Sequence, residues 1–217
     1  MTRAVFFDLD GTFADTAPDL TAALNHVRAT RELPPLPLET ARPQASHGSR
    51  GLLKVGFGIE PDAPDYDALR DGFLNHYASN ICIHTRLFDG MTELLDALAQ
   101  RNIVWGIVTN KPHRYTLPLM EALGFARQAA CLISGDTCER AKPHPDPLFK
   151  ACELAGVQPH QCLYLGDDLR DMQAANAAGI PGIIAGYGYV SDDASESKWN
   201  AQGSITHPME LLRYIEL

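Results

Sequence analysis

The sequence predicts an α/β architecture: a parallel sheet with helices on both faces and an all-helical segment inserted after the first strand. Short apolar runs of strand length recur along the chain. Stretches with helical spacing separate the later runs. One long interval, from Asp15 to Ile83, carries helical patterns and no strand pattern.

The first run, Ala4 to Leu9, is apolar and aromatic and meets acidic residues at Asp8 and Asp10. It reads as a buried strand whose C-terminal end turns polar. Comparable runs follow at Ile103 to Val108, Cys131 to Ser134, Gln161 to Leu165 and Pro181 to Ala185. The helical stretches are Met91 to Gln100, Thr116 to Leu123, Pro147 to Ala155 and Leu169 to Ala178. Strands alternating with helices of this length join as right-handed crossovers in a parallel sheet. In the inserted interval, Thr16 and Asp19 resemble a capping arrangement, with Pro18 in the first helical turn. Leu20, Leu24 and Val27 then share one face. A Pro-rich piece, Leu33 to Pro43, separates that helix from later segments such as Tyr66 to Tyr77. The expected division is residues 1–14 and 84–217 as the α/β core and residues 15–83 as a helical cap. Hinges are expected near Phe13 to Thr16 and Ile83 to Asp89.

Composition excludes several classes. The chain has 217 residues, 45% of them hydrophobic and 21% charged, an ordinary globular balance. Its apolar runs are far shorter than the roughly 20 residues a membrane helix needs, and the N-terminal run reads as a strand rather than a secretion signal. Five cysteines without a C-x-x-C pair point to reduced thiols, hence to a cytoplasmic protein, and not to a disulfide framework or zinc site. A net charge of −9 argues against nucleic acid or an anionic membrane as partner. Monomer and homodimer both remain open.

The strongest motif is FFDLDGT, Phe6 to Thr12. The C-terminal ends of parallel strands face the crevice where such sheets bind ligands. A turn at Gly11 would bring Asp10 back toward the same substrate as Asp8. Asp8 is then placed as nucleophile, since a carboxylate accepts a phosphoryl group covalently, and Asp10 as general acid and base. A second acidic cluster, LGDDLRD, Leu165 to Asp171, lies at another strand–helix junction. Taken alone, Asp167 or Asp168 fits a helix cap as well as a metal ligand. Gathered carboxylates repel by about 4 kcal/mol per close pair at an effective dielectric of 20, and a hard dication relieves that repulsion. This points to Mg²⁺, held by Asp8, Asp167 and the Asp10 main-chain carbonyl, with Asp171 orienting them from behind. Thr109 and Asn110 end another strand and suit phosphate oxygens, although such a pair commonly forms a turn. Lys142 in AKPHPDP can neutralise phosphoryl charge, although a lone lysine is ordinarily a solvated surface residue.

The order DLDGT, Thr-Asn, Lys-Pro and G-D-D-x-x-x-D resembles the haloacid dehalogenase superfamily along essentially the whole chain. DLDGTFADTAPDL, VTNKP and KPHPDPL are similar to bacterial phosphoglycolate phosphatases. SHGSRGLL, IVWGIVTNKP, GDDLRDMQAA and GYGY are closer still to N-acetylmuramic acid 6-phosphate phosphatases. The resemblance implies a Rossmann-like core with a helical cap, and Mg²⁺-dependent hydrolysis of a small phosphorylated metabolite through an aspartyl-phosphate. It implies Asp8 as nucleophile, Asp10 as acid and base, Thr109, Asn110 and Lys142 on the phosphate, and Asp8, Asp10 and Asp167 on the metal. The cap loop Ser46 to Arg50 looks like the specificity loop, with Arg50 either reaching substrate or forming an exposed salt bridge. Phe13 and Ala14 depart from the usual branched aliphatics. A phosphosugar mutase of the same superfamily and a catalytically silent phosphate-binding protein are the alternatives. His47, His84 and His144 read as surface or loop residues, and Tyr187 to Tyr189 as packing near the site.

Overall fold

A computed structural model describes residues 1–190 and 195–215. Its centre is a six-stranded sheet ordered β5-β4-β1-β6-β7-β8. The strands are β1 (Ala4–Phe7), β4 (Val104–Val108), β5 (Leu132–Ile133), β6 (Cys162–Gly166), β7 (Gly182–Ala185) and β8 (Gly203–Ile205), and all neighbours pair in parallel. β1 lies in the middle, between β4 and β6. Its four residues are fully buried, which is why the segment reads as a continuous apolar run and not as an alternation.

The alternation survives in the destination of the side chains. Val5 and Phe7 enter one core, with residues of α5 (Met91–Gln100) and α6 (His113–Ala122). Ala4 and Phe6 enter another on the opposite face, with α7 (Asp146–Ala155) and α8 (Leu169–Ala178). The result is a three-layer α/β core, as expected. The weak β8 run escaped the sequence reading because Gly203 and Ser204 dilute its apolar signal.

Between β2 (Ala14–Asp15) and β3 (Arg86–Leu87), which pair antiparallel, the chain is helical. Helices α1 (Ala17–Ala29), α2 (Leu38–Ala41), α3 (Gly48–Phe57) and α4 (Tyr66–Ser79) share an apolar core built on Leu20, Leu24, Leu52, Leu53 and Phe73. Tyr115 and Tyr189 from the α/β part pack into the same cluster. Short terminal helices α9 (Glu196–Trp199) and α10 (Leu212–Ile215) complete the chain. Among the described residues no helix is long and apolar enough to cross a membrane.

Two local expectations are corrected. Thr16 and Asp19 do not cap α1: Thr16 makes no capping bond there. The Asp19 carboxylate instead accepts from the backbone N–H groups of His84 and Thr85 and from the Thr85 hydroxyl, at 2.7–3.1 Å. Asp19 therefore ties the first connection of the helical segment to the second, beside the β2–β3 pair. Ser46 to Arg50 is not a loop, because a 3₁₀ turn (Arg42–His47) runs directly into α3 at Gly48.

Candidate active site

At the C-terminal end of β1, the Asp8 amide still donates to Leu165 O of β6 at 2.9 Å, which holds the residue in line with the strand. The chain then turns sharply, with Leu9 O accepting from the amides of Phe13 and Ala14 at 3.1 and 3.0 Å. Gly11 makes the turn possible. Its φ is +86°, and any Cβ there would run into the Asp167 carboxylate. Asp8 and Asp10 are both nearly buried and line one cavity of about 280 Å³.

Lys142 is the electrostatic centre of this cavity. Its ammonium donates to Asp8 Oδ1 at 2.8 Å, Asp171 Oδ1 at 2.6 Å, Tyr164 Oη at 2.8 Å and Val108 O at 2.9 Å. Asn110 sets the backbone of that lysine. Its Nδ2 donates to Lys142 O at 2.8 Å, and its Oδ1 accepts from Lys142 N at 3.0 Å. The amide of Asn110 is thus engaged with Lys142. Thr109 is buried beside it, and its hydroxyl oxygen accepts from Lys111 N at 3.2 Å.

Among the described residues Asp167 has no cationic partner. Thr12 donates to one of its oxygens at 2.9 Å, and Ser46 and the Tyr189 amide donate to the other at 2.9 and 3.0 Å. One oxygen each of Asp8, Asp167 and Asp171 lies within 4.8 Å of the others. Burial raises the pKa of Asp8 to about 6, with Lys142 pulling it down and Asp171 pushing it up. Burial, then Asp8 and Asp171, drive Asp167 well above the usual carboxylate range. Asp8 and Asp171 share Lys142, and the third buried carboxylate, Asp167, is met by neutral donors. That donor set suits a hard dication. Asp171 is occupied on both oxygens, by Lys142 and by the Asp168 amide at 3.0 Å, so it braces the cluster. Of the two aspartates at this junction, Asp168 is the helix cap, accepting from Arg170 N at 2.8 Å.

Asp10 is held by groups that the sequence did not place in the site. Thr16 donates to its Oδ1 at 2.5 Å, and the Lys111 ammonium lies 2.9 and 3.2 Å from its two oxygens. Burial works against the charge of Lys111, but Asp10 and Tyr77 more than reverse this and raise its pKa above the usual value. Lys111 also sits 4.6 Å from the ring centroid of Tyr77 on α4. The signal available for Lys111 was its place directly after Thr109 and Asn110, a position where lysine is ordinarily solvated. Arg50 lines the cavity, but its side chain is 70% exposed and lies 3.4 Å from Glu60. Tyr187 and Tyr189 pack as expected: Tyr187 donates to Thr12 O at 3.0 Å, and Tyr189 to Asp15 Oδ1 at 2.6 Å.

Comparison with known proteins agrees with this geometry. Residues 5–185 match the model of the haloacid dehalogenase-like hydrolase family. The chain is 38% identical to an N-acetylmuramic acid 6-phosphate phosphatase of Pseudomonas aeruginosa, over 99% of this chain and 95% of that one. It is 43% identical to a phosphoglycolate phosphatase of Xanthomonas campestris, over 96% and 94%. Its fold superposes on a crystal structure of a predicted phosphoglycolate phosphatase from Haemophilus somnus with a TM-score of 0.85 and 25% identity, covering 98% and 97% of the two chains.

Proposed function

The chain belongs to the haloacid dehalogenase-like hydrolase family, and from that premise we propose that this phosphatase hydrolyses a small phosphorylated metabolite with Mg²⁺, through a phosphoryl group carried on Asp8. The convergence of Asp8, Asp167 and Asp171 around Lys142, at the ligand-binding end of the sheet, carries the reading.

In the first half-reaction an Asp8 carboxylate oxygen forms a bond to phosphorus while the ester P–O bond breaks. Asp10 supplies the proton the leaving oxygen needs. In the second, water attacks the same phosphorus and gives its proton to Asp10. The bond to Asp8 breaks, and inorganic phosphate leaves. Lys111 pairs with the Asp10 carboxylate and holds it at the cavity. Lys142 opposes the charge on the transferring group, and Asn110 fixes where Lys142 stands. The Asp8 and Asp167 carboxylates and the Asp10 main-chain carbonyl would hold Mg²⁺. When bound, the ion offsets the repulsion between an anionic nucleophile and an anionic ester.

The helical segment, residues 15–83, acts as a cap in this account. The Ser46 contact to Asp167 spans the two parts, and closure would exclude water during transfer. The substrates named for the relatives, N-acetylmuramic acid 6-phosphate and phosphoglycolate, define the class tested first. Five free thiols fit a reducing compartment such as the cytoplasm. Turnover of p-nitrophenyl phosphate should require Mg²⁺ and vanish in Asp8→Asn, and metal-independent turnover would refute the reading.

A further inference from the structure

One wall of the cavity carries a row of cations and rings that starts at Lys111, the partner of Asp10. The Arg114 guanidinium lies 4.7 Å from the ring centroid of Tyr115. Tyr115 packs against Tyr77 with ring centroids 5.8 Å apart, and Lys111 caps the far face of the row at 4.6 Å from the Tyr77 centroid. All four residues line the cavity.

The charges along this wall are unequally matched. Lys111 is paired with Asp10, Arg50 with Glu60 and Arg170 with Asp168. The exposed Arg114 has no carboxylate within ion-pair distance among the described residues, and its guanidinium rests over the Tyr115 ring. It also stands in the first turn of α6, where the helix dipole adds to its positive field. Further along the same wall, past Tyr115 and next to Lys111, the Tyr77 hydroxyl is buried without a hydrogen-bond partner, in a residue 1% exposed. An unpaired cation and an unsatisfied buried hydroxyl at one cavity wall, in a protein of net charge −9, call for an anionic oxygen ligand.

We propose that Arg114, with the Tyr77 hydroxyl, binds a carboxylate on the part of the substrate that leaves with the ester oxygen. The inference rests on the phosphatase reading above and adds to it a specificity-determining residue on the α/β core. A single carboxylate matches one unpaired guanidinium in charge and in its two-pronged geometry. A second phosphate, with about −1.5 to −2 charge, would exceed it.

The test uses matched substrate pairs: N-acetylmuramic acid 6-phosphate against N-acetylglucosamine 6-phosphate, and 2-phosphoglycolate against 2-hydroxyethyl phosphate. The wild type should favour the carboxylated member of at least one pair. Arg114→Gln should reduce that kcat/KM ratio by about tenfold or more, mainly through KM, because the contact is made equally in the ground and transition states. Arg114→Lys should restore part of it, and Tyr77→Phe should lower it in the same direction. A wild type without discrimination in either pair, or an Arg114→Gln enzyme that keeps the wild-type ratio, overturns the assignment. p-Nitrophenyl phosphate turnover by the wild-type preparation separates the two readings. If it persists in such a case, the Arg114 assignment alone falls; its absence in the wild type overturns both.

Discussion

Lys142 places its ammonium nitrogen 2.8 Å from Oδ1 of Asp8, and both side chains are almost fully shielded from solvent. The same nitrogen reaches Asp171 at 2.6 Å. Removing the lysine strands two buried carboxylates, and breaking a buried pair from one side typically costs about 3–5 kcal/mol. Lys142→Met should therefore lower the melting temperature by roughly 6–20 °C for a chain of this size. It should also reduce kcat/KM by ~10²–10³, the usual loss when one electrostatic stabiliser is removed. Thermal melts with steady-state kinetics check this, and wild-type activity in the variant would contradict it.

The acidic cluster predicts an inverted pH response. Asp8 titrates near 6 in the fold against an ordinary 3.8, and Asp167 shifts upward in the same sense. Both bind protons more tightly folded than unfolded. Without metal, they destabilise the fold above about pH 6, and that cost fades as pH falls toward 4. Mg²⁺ needs the ionised forms, so its stabilisation should be largest at neutral pH. At a hundredfold excess over Kd it is about 2.7 kcal/mol, or roughly 5–10 °C. Scanning calorimetry with and without Mg²⁺ should show that shift near pH 7.5 and a much smaller one near pH 5. Equal shifts at both would contradict the assignment.

Asp19 joins the two connections of the helical segment through three donors on His84 and Thr85. Asp19→Ala leaves the buried Thr85 donors and the part-buried His84 amide unmatched, at about 1–3 kcal/mol for each strongly affected group. We expect a melting temperature lowered by ~4–8 °C and a raised KM, because the segment is no longer held at its hinge. Thr85→Val should give a smaller loss, about 1 kcal/mol. An Asp19→Ala protein as stable as wild type would remove the hinge clamp from the account.

Gly11 is the turn that brings Asp10 back toward Asp8. With φ at +86° and the Asp167 carboxylate in the path of any Cβ, Gly11→Ala combines backbone strain of ~1–2 kcal/mol with a displaced Asp167. Activity should fall at least ~10²-fold, beyond what the stability loss explains. Kinetics below the melting transition, with circular dichroism to confirm folding, decide it.

The sheet was legible in the sequence because a strand buried on both faces leaves an unbroken apolar run, and Ala4 to Leu9 is such a run. Helices α5 and α8 were legible to the residue, since Met91 and Leu169 open clean periodic stretches. Asp8, Asp10, Asp167 and Asp171 stood out because acidic residues gathered at strand–helix junctions demand a reason, and Lys142 stood out only through its place in the order of motifs. The partners of those residues were not legible. Lys111 is 101 positions from Asp10, and Thr12 is 155 positions from Asp167. Thr16 and Asp19 fitted a local capping pattern, but folding gave them more distant partners in Asp10 and Thr85. Local pattern cannot rank a near partner against a far one when both satisfy the same oxygen.

In the proposed reaction Asp8 carries the phosphoryl group. Acid-quenching the enzyme during turnover of a phosphate-labelled substrate, then mapping the label by peptide mass spectrometry, tests it directly. A hydroxylamine-labile phosphoryl group is expected on Asp8, absent in Asp8→Asn. Label on any other residue, or steady turnover by Asp8→Asn, would contradict it.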